Sequence, residues 1–362
     1  MQAQNFRDWL TEHQLYPLVQ APMAGVSTPE LAAAVSNSGA IGSLGLGASS
    51  LDQARTMIRA TRDLTQQPFN VNVFCHAAAE RDKHREYQWL ASLAPLFAEF
   101  DALPPASLNE IYSSFIHSPA MLEMLLQERP AIVSFHFGLP SKATIHALKQ
   151  AGILLLATAT NTAEAIAAEQ AGIDVVIAQG YEAGGHRGIF DPEADDQQLT
   201  TVELVQQIKA NIDIAVIAAG GIMTGADINA VMTSGANTVQ LGTAFILCTE
   251  SAANAAYRSN LQSQRAHQTC MTTAISGRPA RGLQNQFTLH GEQCGIEPAA
   301  YPLTYDVAKQ LHSLASKVDN HEFAAHWAGT GAPAARSMPA AELVNLLISE
   351  AGWQRNKDGQ EE

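Results

Sequence analysis

The clearest signal for the fold is the stretch IAVIAAGGIMTGADINAVMTSGANTVQLGTAFI, residues 214–246. It opens with an apolar run, Ile214–Ala219, that leads into a pair of glycines. A helical pattern over Gly225–Ser234 follows, and a second apolar run, Thr238–Gly242, ends in another glycine. Because a strand, a helix and a second strand in this order form a βαβ unit, the stretch predicts two parallel strands buried on both faces.

Six more apolar runs of this kind lie upstream. They are Pro17–Met23, Ala40–Leu44, Phe69–Phe74, Ala131–Phe137, Ile153–Ala157 and Asp174–Gln179. Helical patterns follow most of them, as βα units require. Eight such runs fit either an open doubly wound sheet or a closed (β/α)8 barrel. The count of eight and the glycine turns after the last two runs favour the closed α/β barrel of the TIM type.

Two segments interrupt the alternation of strand and helix. One, His76–Pro130, is a long helical excursion after the third run, and the other, 251–326, follows the eighth. We interpret the second as a smaller, mainly helical domain that caps the C-terminal mouth of the barrel. It contains the basic stretch SGRPARG, Ser276–Gly282. The predicted domains are therefore a barrel, 1–250 with 327–362, and a cap over 251–326.

Composition excludes several classes of protein. The chain has 362 residues, of which 46% are hydrophobic and 15% charged, an ordinary globular balance. Its formal net charge of −14 gives no long-range attraction for nucleic acid or an anionic membrane, so neither is an expected partner. Four scattered cysteines without a CxxC pair, and a polar N-terminus without a signal-peptide core, predict a cytoplasmic protein.

Glycines follow the last two predicted strands, where many TIM barrels bind a phosphate. Gly220 and Gly221 follow the seventh strand, and Gly242 and Thr243 follow the eighth. Backbone N–H groups at such turns hold an anion, and glycine lets the backbone approach it closely. Either pair alone fits a tight βα turn equally well. The two pairs together favour a phosphate site.

Amides and one histidine stand at other strand ends. Asn72 and Gln179 each offer a donor and an acceptor, which suits the edge of a flavin ring, although an amide there also caps a strand. After Gln179 the stretch YEAGGHRG, 181–188, carries His186 in a glycine-rich loop. Because catalytic residues of such barrels lie where strands end, His186 is the sharpest catalytic candidate.

The remaining chemistry-bearing residues are weaker candidates. His136 ends the fourth strand and fits either packing or a pocket position. We interpret six other histidines as surface or helix positions, namely His76, His84, His117, His146, His312 and His321. No metal motif or GxSxG elbow stands at the strand ends, so neither a metal site nor a serine nucleophile is expected. GSLGLG, Gly42–Gly47, lacks the GxGxxG spacing of a Rossmann nicotinamide site.

Three polar residues of the cap are spaced by four. Tyr301, Tyr305 and Lys309 share one face if the segment is helical, although Pro302 puts the first turn in question. Two phenols and an ammonium suit an anionic substrate. An ordinary amphipathic helix shows the same spacing.

Six stretches carry a family resemblance. They are QAPMAGVSTPELAAAVSNSGAIGSLG (Gln20–Gly45), SFHFG (Ser134–Gly138), AQGYEAGGHRG (Ala178–Gly188), AAGGIMTGADINAVMTSGANTVQLGTAFI (Ala218–Ile246), ISGRPARG (Ile275–Gly282) and HWAGTGAPAAR (His326–Arg336). Together they resemble class I nitronate monooxygenase, formerly called 2-nitropropane dioxygenase. The match runs in order over nearly the whole chain. Thr330 stands where glutamine is expected, which leaves the role of that side chain in doubt.

The resemblance implies an FMN-binding barrel with a capping domain. Such an enzyme oxidises small anionic alkyl nitronates, notably propionate 3-nitronate, with O2 to a carbonyl product plus nitrite or nitrate, a detoxification. The catalytic histidine implied is His186. The cofactor-binding residues are Pro22, Met23, Ala24, Asn72, Gln179, Gly184, Gly185, Gly220, Gly221, Gln240, Leu241, Gly242 and Thr243. The predicted substrate pocket consists of His136, Tyr301, Tyr305 and Lys309, and no metal is expected.

Other functions fit the same fold. An FMN-dependent enoyl-thioester reductase carries an EAGGH-like turn as well, so that turn does not separate the two enzymes. An NADH:quinone oxidoreductase and a non-catalytic flavin- or phosphate-binding barrel are the further alternatives. The opening APMAGVSTPELA, 21–32, favours the monooxygenase. The sequence leaves the oligomeric state open.

Overall fold

A computed structural model describes residues 3–354; positions 1–2 and 355–362 of the predicted barrel domain lie outside the described residues. The strands are β1 (Leu18–Gln20), β2 (Gly42–Gly45), β3 (Phe69–Phe74), β4 (Ile132–His136), β5 (Leu154–Ala159), β6 (Val175–Gln179), β7 (Gly185–His186), β8 (Ala215–Ala219), β9 (Thr238–Leu241), β10 (Thr269–Thr272) and β11 (Ala280–Leu283).

The α-helices of the described residues alternate with these strands. They are α1 (Ala3–Glu12), α2 (Pro29–Asn37), α3 (Leu51–Leu64), α4 (Lys83–Ala98), α5 (Pro119–Glu128), α6 (Lys142–Gln150), α7 (Thr162–Ala171), α8 (Thr201–Lys209), α9 (Gly225–Thr233), α10 (Thr243–Ile246), α11 (Ala255–Leu261), α12 (Gln286–Gln293), α13 (Leu303–Ser316) and α14 (Ala340–Glu350). Between residues 3 and 354, no helix is both long and apolar enough to span a membrane.

Eight parallel strands form a closed barrel. Their order is β1-β9-β8-β6-β5-β4-β3-β2, and each neighbouring pair is parallel. The two ends of this order meet where Val19 bridges Ile41, and the N–H of Ile41 donates to the carbonyl of Leu18 at 2.9 Å. The predicted α/β barrel is therefore confirmed, and all eight predicted apolar runs are its strands.

The interior of the barrel changes character along its axis. Alternate residues point inward, and on β6 these run from Val175 through Ile177 to Gln179. On β4 the same alternation ends at His136. The apolar inner residues pack at the other end against Phe6 and other residues of α1. Apolar residues thus fill the N-terminal half, and polar side chains are left at the carboxyl ends of the strands.

Helix α8 of the barrel was not predicted. α8 follows the long loop after β6, and Thr200 is its N-cap. The two ends of the first turn form a capping box: the Thr200 hydroxyl accepts from the N–H of Glu203, and the Glu203 carboxylate accepts from the N–H of Thr200. The threonine–glutamate spacing is a sequence signal for a helix start. The intervening loop hides it, because α8 does not directly follow its strand.

A second hydrophobic core lies outside the barrel. It joins Trp89 and Phe97 of α4 to Phe287 of α12, Leu311 of α13 and Phe323. Residues from both predicted excursions therefore pack together. The boundaries predicted for the two domains stay a prediction, and this packing adds α4 to the elements in contact with the cap.

The cap is mainly helical but also contains two strands. β10 and β11 pair antiparallel, and β11 pairs in turn with β7, so that Ala280 lies opposite His186 and Arg281 opposite Gly185. Sequence analysis predicted helices in this segment and no sheet. The sheet matters for the site because it fixes the loop that carries His186 to the cap.

Candidate active site

The site is a cavity of about 980 Å³ at the carboxyl ends of the barrel strands, beneath the cap. Every residue that the sequence singled out for the cofactor, for catalysis and for the substrate lies on its wall. They come from strand ends, from the turn after β1 and from α13 of the cap. The fold therefore brings the whole predicted set together. The individual roles of these residues stay predictions.

The glycine turn after β8 has a backbone that only glycine adopts easily. Gly220 has φ +123° and Gly221 has φ +71°. A Cβ on Gly220 would lie 2.8 Å from the hydroxyl of Thr201, and one on Gly221 would lie 3.1 Å from the Cβ of Glu182. A side chain at either position would crowd this corner of the cavity, so glycine is required here for steric reasons as well as for backbone conformation.

Glu182 lies in the same corner and has a structural task. Its carboxylate accepts from the backbone N–H of Thr201 at 2.9 Å and from the Thr201 hydroxyl at 3.1 Å. An anion at the start of α8 is stabilised by the free N–H groups of the first turn. The acid that follows Tyr181 in the glycine-rich stretch is therefore directed at a helix and away from proton transfer.

Gln179 supports the His186 loop at two points. Its Nε2 donates to the carbonyl of His186 at 2.9 Å, and its Oε1 accepts from the N–H of Gly188 at 2.8 Å. Asn72 behaves similarly on β3, where its Nδ2 donates to the carbonyl of Ser134 at 3.1 Å and to its hydroxyl at 2.9 Å. Both amides line the cavity while they hold its walls together.

His136 also holds the His186 loop. Its Nε2 lies 3.2 Å from the carbonyl of His186 and its Nδ1 lies 3.1 Å from the hydroxyl of Thr158. Because a carbonyl only accepts, Nε2 carries the proton and Nδ1 accepts from the threonine. Burial lowers the pKa of His136 to about 4. This imidazole is therefore neutral near pH 7, and both of its nitrogens are engaged by the protein.

Arg187, the cation next to the candidate histidine in sequence, has a structural role. It is 1% exposed, and its guanidinium makes a two-pronged ion pair with Asp196, with Nε 2.7 Å and Nη2 3.0 Å from the two carboxylate oxygens. Nη1 donates to the carbonyls of Gln179 and Gly180 at 2.8 and 2.9 Å. Arg187 thus ties the loop after His186 to the end of β6 and points away from the cavity.

Four aromatic rings surround the imidazole of His186, and we call them the aromatic box. Phe137 and Tyr301 each lie 5.6 Å from it between ring centroids, Tyr305 lies at 6.1 Å and Trp327 at 5.2 Å. Nε2 of His186 is buried and has no hydrogen-bond partner among the described residues. Since a buried polar atom without a partner is uncommon, and this one lies on the cavity wall, the imidazole is a candidate ligand contact.

The electrostatic surroundings keep His186 neutral. Its pKa is lowered to about 3, mainly by burial and in addition by the nearby His136, Arg278 and His76. The backbone of the residue is fixed on both sides by the pairing with β11 and by the bonds to its carbonyl. A rigidly mounted neutral imidazole is suited to hold a hydrogen bond in a fixed direction.

Sequence analysis placed one histidine wrongly. His76 is 1% exposed, so the prediction of a surface position is wrong; its ring stands edge-on to Tyr301 at 4.9 Å and lies 6.2 Å from that of Phe137. It comes just after β3, where the chain turns inward beneath the cap. No periodicity marks this turn, because the cap that covers it comes from much later in the chain.

Other wall residues were not predicted. Tyr112, Trp327 and His326 line the cavity, and Tyr112 faces Tyr305 at 5.5 Å. Tyr301 lies two residues before α13, while Tyr305 and Lys309 lie within it. Only the last two therefore share a helix face as predicted. HWAGTGAP, 326–333, held the signal for Trp327, because a glycine-rich turn with an aromatic residue resembles the other strand-end loops.

Metal ligands do not gather at this site. Over residues 3–354 no group of three or more His, Cys, Asp and Glu side chains could hold a metal ion. The four cysteines are free thiols, and burial raises the pKa of Cys75, which lies just after β3, well above its usual value. The site as described offers imidazole, amide, phenol and ammonium groups.

Comparisons with known proteins agree on one family. The family model described as nitronate monooxygenase matches residues 8–350. A nitronate monooxygenase from Paraburkholderia phytofirmans is 54% identical over 335 residues, 92% of each chain. The structure of a nitroalkane oxidase from Streptomyces ansochromogenes superposes with a TM-score of 0.88 at 39% identity, covering 95% of this chain and 97% of that one. FabK from Thermotoga maritima is less similar, with a TM-score of 0.72 at 25% identity over 95% and 96% of the chains.

The barrel and its cavity indicate a broad class of enzyme. A closed parallel barrel with a ligand cavity at the carboxyl ends of its strands is the architecture of an α/β-barrel enzyme. With 54% identity over nearly the full length and a family match from residue 8 to residue 350, the chain belongs to the nitronate monooxygenase family. It is an oxidoreductase.

Proposed function

We propose that the chain uses FMN to oxidise small alkyl nitronates with O2, giving a carbonyl product plus nitrite or nitrate. The observation that carries this proposal is the neutral imidazole of His186, rigidly mounted, enclosed by aromatic rings and with a buried Nε2 that lacks a partner. A nitronate is already a carbanion equivalent, so its oxidation needs a contact beside a redox group more than a strong base.

The residues present fit a flavin mononucleotide. Oε1 of Gln240 is a buried acceptor without a partner on the cavity wall, and it suits a ring N–H. The Nδ2 of Asn72 is engaged by Ser134, which leaves its oxygen as an acceptor. Gly221 and Gly242 put backbone at the cavity wall, as a phosphate requires. A flavin, when bound, supplies one- and two-electron transfer to O2.

The turn after β1 would lie beneath the ring. Pro22, Met23 and Ala24 line the cavity there, and the N–H of Met23 donates to the hydroxyl of Ser27 at 3.0 Å. That hydroxyl also receives a bond from Gln20, which anchors the turn to the barrel interior. A platform held from below in this way keeps its shape when a planar ligand packs on it.

His186 would hold the nitronate. With a proton on one nitrogen the neutral imidazole donates a hydrogen bond to a nitronate oxygen and so fixes the carbanion carbon in one place. Toward a neutral nitroalkane the same side chain would be only a weak base for the α-proton, because burial lowers its pKa to about 3. The rings of the aromatic box would keep water away from a carbon bound beside His186, which would protect the carbanion from protonation.

Lys309 would select a substrate with a second charge. Its Nζ lies 4.8 Å from the ring centroid of Tyr112 and 5.6 Å from that of Tyr305, and burial lowers its pKa. Among the described residues no carboxylate pairs with it within the 4.0 Å limit of an ion pair. An ammonium between two phenol rings suits the carboxylate of propionate 3-nitronate.

Oxygen uptake tests the proposal directly. The purified protein, checked for flavin by its absorption spectrum, is given propionate 3-nitronate or, in a parallel sample, an enoyl thioester with NADH. We expect uptake with the nitronate and, without O2, bleaching of the flavin by the nitronate but not by NADH. Bleaching by NADH with turnover of the enoyl thioester would assign the site to a reductase instead. A colourless protein would refute the flavin assignment.

We propose that the protein is cytoplasmic, because all four of its cysteines are free thiols. Cys75 and Cys248 are buried free thiols, and Cys270 and Cys294 are partly buried free thiols. Four unpaired thiols are typical of a reducing compartment. Fractionation of cells that express the tagged chain checks this placement.

A further inference from the structure

The basic stretch SGRPARG brings a buried cation to the aromatic box. Arg278 is 4% exposed, and its guanidinium carbon lies 4.5 Å from the ring centroid of Phe137 and 6.0 Å from that of Tyr301. Its Nη2 donates to the carbonyl of Ile189 at 2.6 Å, just beyond the His186 loop. The guanidinium therefore lies close to two of the four rings that enclose the imidazole.

This cation has no acidic partner in contact. Within residues 3–354 no carboxylate lies within the 4.0 Å limit of an ion pair from Arg278, and Glu164 and Asp191 influence it only from farther away. Arg187, also deeply buried and close by in the fold, has Asp196 at 2.7 Å. Burial lowers the pKa of Arg278 to about 10, so it stays charged at neutral pH. Its charge is neutralised neither by water nor by an ion pair.

A buried charge of this kind acts over a distance. In the protein interior the low effective dielectric lets a unit charge influence a site one ring away. The groups that share this field are His186, His136, His76, Tyr301 and Tyr305. The histidines are neutral at neutral pH because burial lowers their pKa values, and burial raises the pKa values of both phenols. None of these five groups carries a charge that opposes Arg278 at neutral pH, and the carboxylates of Glu164 and Asp191 act on it only from farther away.

We propose that Arg278 makes the aromatic box select an anion over a neutral molecule of the same shape. It acts from beside Phe137 and Tyr301 and is not among the residues that line the cavity, and its position on the link to β11 holds it there. The proposal deepens the proposed function, since a nitronate is the anion of a nitroalkane. It concerns equilibrium binding and so does not depend on turnover.

Propanoate and propanamide form the matched pair of probes. Both have a planar three-atom head on the same short chain, only propanoate is charged, and neither transfers electrons to a flavin. Calorimetric titration of the flavin-loaded protein gives a dissociation constant for each, and their ratio is the selectivity. We expect the wild-type protein to prefer propanoate and Arg278→Gln to lose on the order of tenfold of that preference. Glutamine keeps a donor for Ile189, so the change is mainly one of charge.

Two further variants separate charge from structure. Arg278→Lys retains the charge and is expected to retain most of the selectivity. Arg281→Gln is the matched control, because Arg281 lies on the same segment and stacks on a different ring, that of Tyr181, at 4.8 Å. It should leave the ratio of the two dissociation constants unchanged.

Several results would overturn the proposal. These are a wild-type protein that does not prefer propanoate, a ratio unchanged in Arg278→Gln, and an equal loss of ratio in Arg281→Gln. Weaker binding of both probes by the same factor in Arg278→Gln would also count against it, since that indicates a loosened box. Because the wild-type comparison stands by itself, the idea can fail even when no variant folds. Absence of nitronate oxidation with the selectivity intact would refute the proposed function alone.

Discussion

Replacing Gln179 with leucine tests how the His186 loop is held. The side chain makes two bonds to the loop, from Nε2 to the carbonyl of His186 and to Oε1 from the N–H of Gly188. Leucine is one atom shorter and has no polar atoms. The change therefore removes both hydrogen bonds.

The two bonds differ in what their loss leaves behind. The carbonyl of His186 retains its bond from His136 at 3.2 Å, so that loss is one net hydrogen bond, about 1 kcal/mol. Gly188 is buried and its N–H would have no acceptor, which costs a further 1–3 kcal/mol or so. The free energy of unfolding should fall by about 2–4 kcal/mol. With about 2.1 cal/mol/K of unfolding entropy per residue, the melting temperature drops by roughly 3–5 °C.

Thermal melting and steady-state kinetics measure the two consequences. We expect kcat for nitronate oxidation to fall by on the order of tenfold or more, because the loop that positions His186 loosens. Gln179→Met is the control for packing, since methionine keeps the length of the glutamine side chain but has neither its amide donor nor its amide oxygen. A leucine variant that melts within 1 °C or so of wild type would refute the assignment of Gly188 to this amide. A methionine variant that melts like wild type would show that lost packing, and not the two hydrogen bonds, destabilises the leucine variant.

Further predictions concern the same cavity. His186→Asn should lower the rate with nitronates and nitroalkanes by about a hundredfold or more while the flavin spectrum persists, and wild-type rates with both would contradict its role. Since the pKa values of His186 and His136 are lowered to about 3 and about 4, both are neutral above them, and kcat/KM should stay flat from pH 8 to pH 5; a break near pH 6.5 would show a histidine that titrates normally. Gly184→Ala would place a Cβ 2.5 Å from the backbone nitrogen of Gly329, so a loss of about 1–3 kcal/mol is expected in melting, and an unchanged melt would refute that contact. Lys309→Met should raise KM about tenfold for propionate 3-nitronate and leave that for ethyl nitronate unchanged, and equal effects on both would argue against a carboxylate contact.

The barrel could be predicted because its signal is local. Each strand is buried on both faces, so residues such as Val216 and Ile217 on β8 form an unbroken apolar run. Turn glycines such as Gly220 mark where the strand ends. Both features depend on neighbours in the sequence, and a reading of runs and turns detects them.

The rest of the site depends on contacts between distant segments. β7 has only two residues and exists because β11 pairs with it, so no pattern within Gly185–His186 announces a strand. His76 is buried by Tyr301, which belongs to the cap. Arg278 lies in a stretch that the sequence marks as basic, yet nothing there shows that its charge is buried. The family resemblance predicts which residues line the cavity. The hydrogen bonds and ring contacts that hold those residues in place are seen only in the folded structure.

The pairing of β7 with β11 has a consequence for the order in which the protein matures. During synthesis the barrel strands from β1 to β9 leave the ribosome before the segment that holds His186 in place. A nascent chain that ends after β9 therefore contains all eight barrel strands but lacks β11 and α14. Because Ala280 pairs with His186 only once β11 has been made, the histidine loop gains its last backbone support after every strand of the barrel has been synthesised.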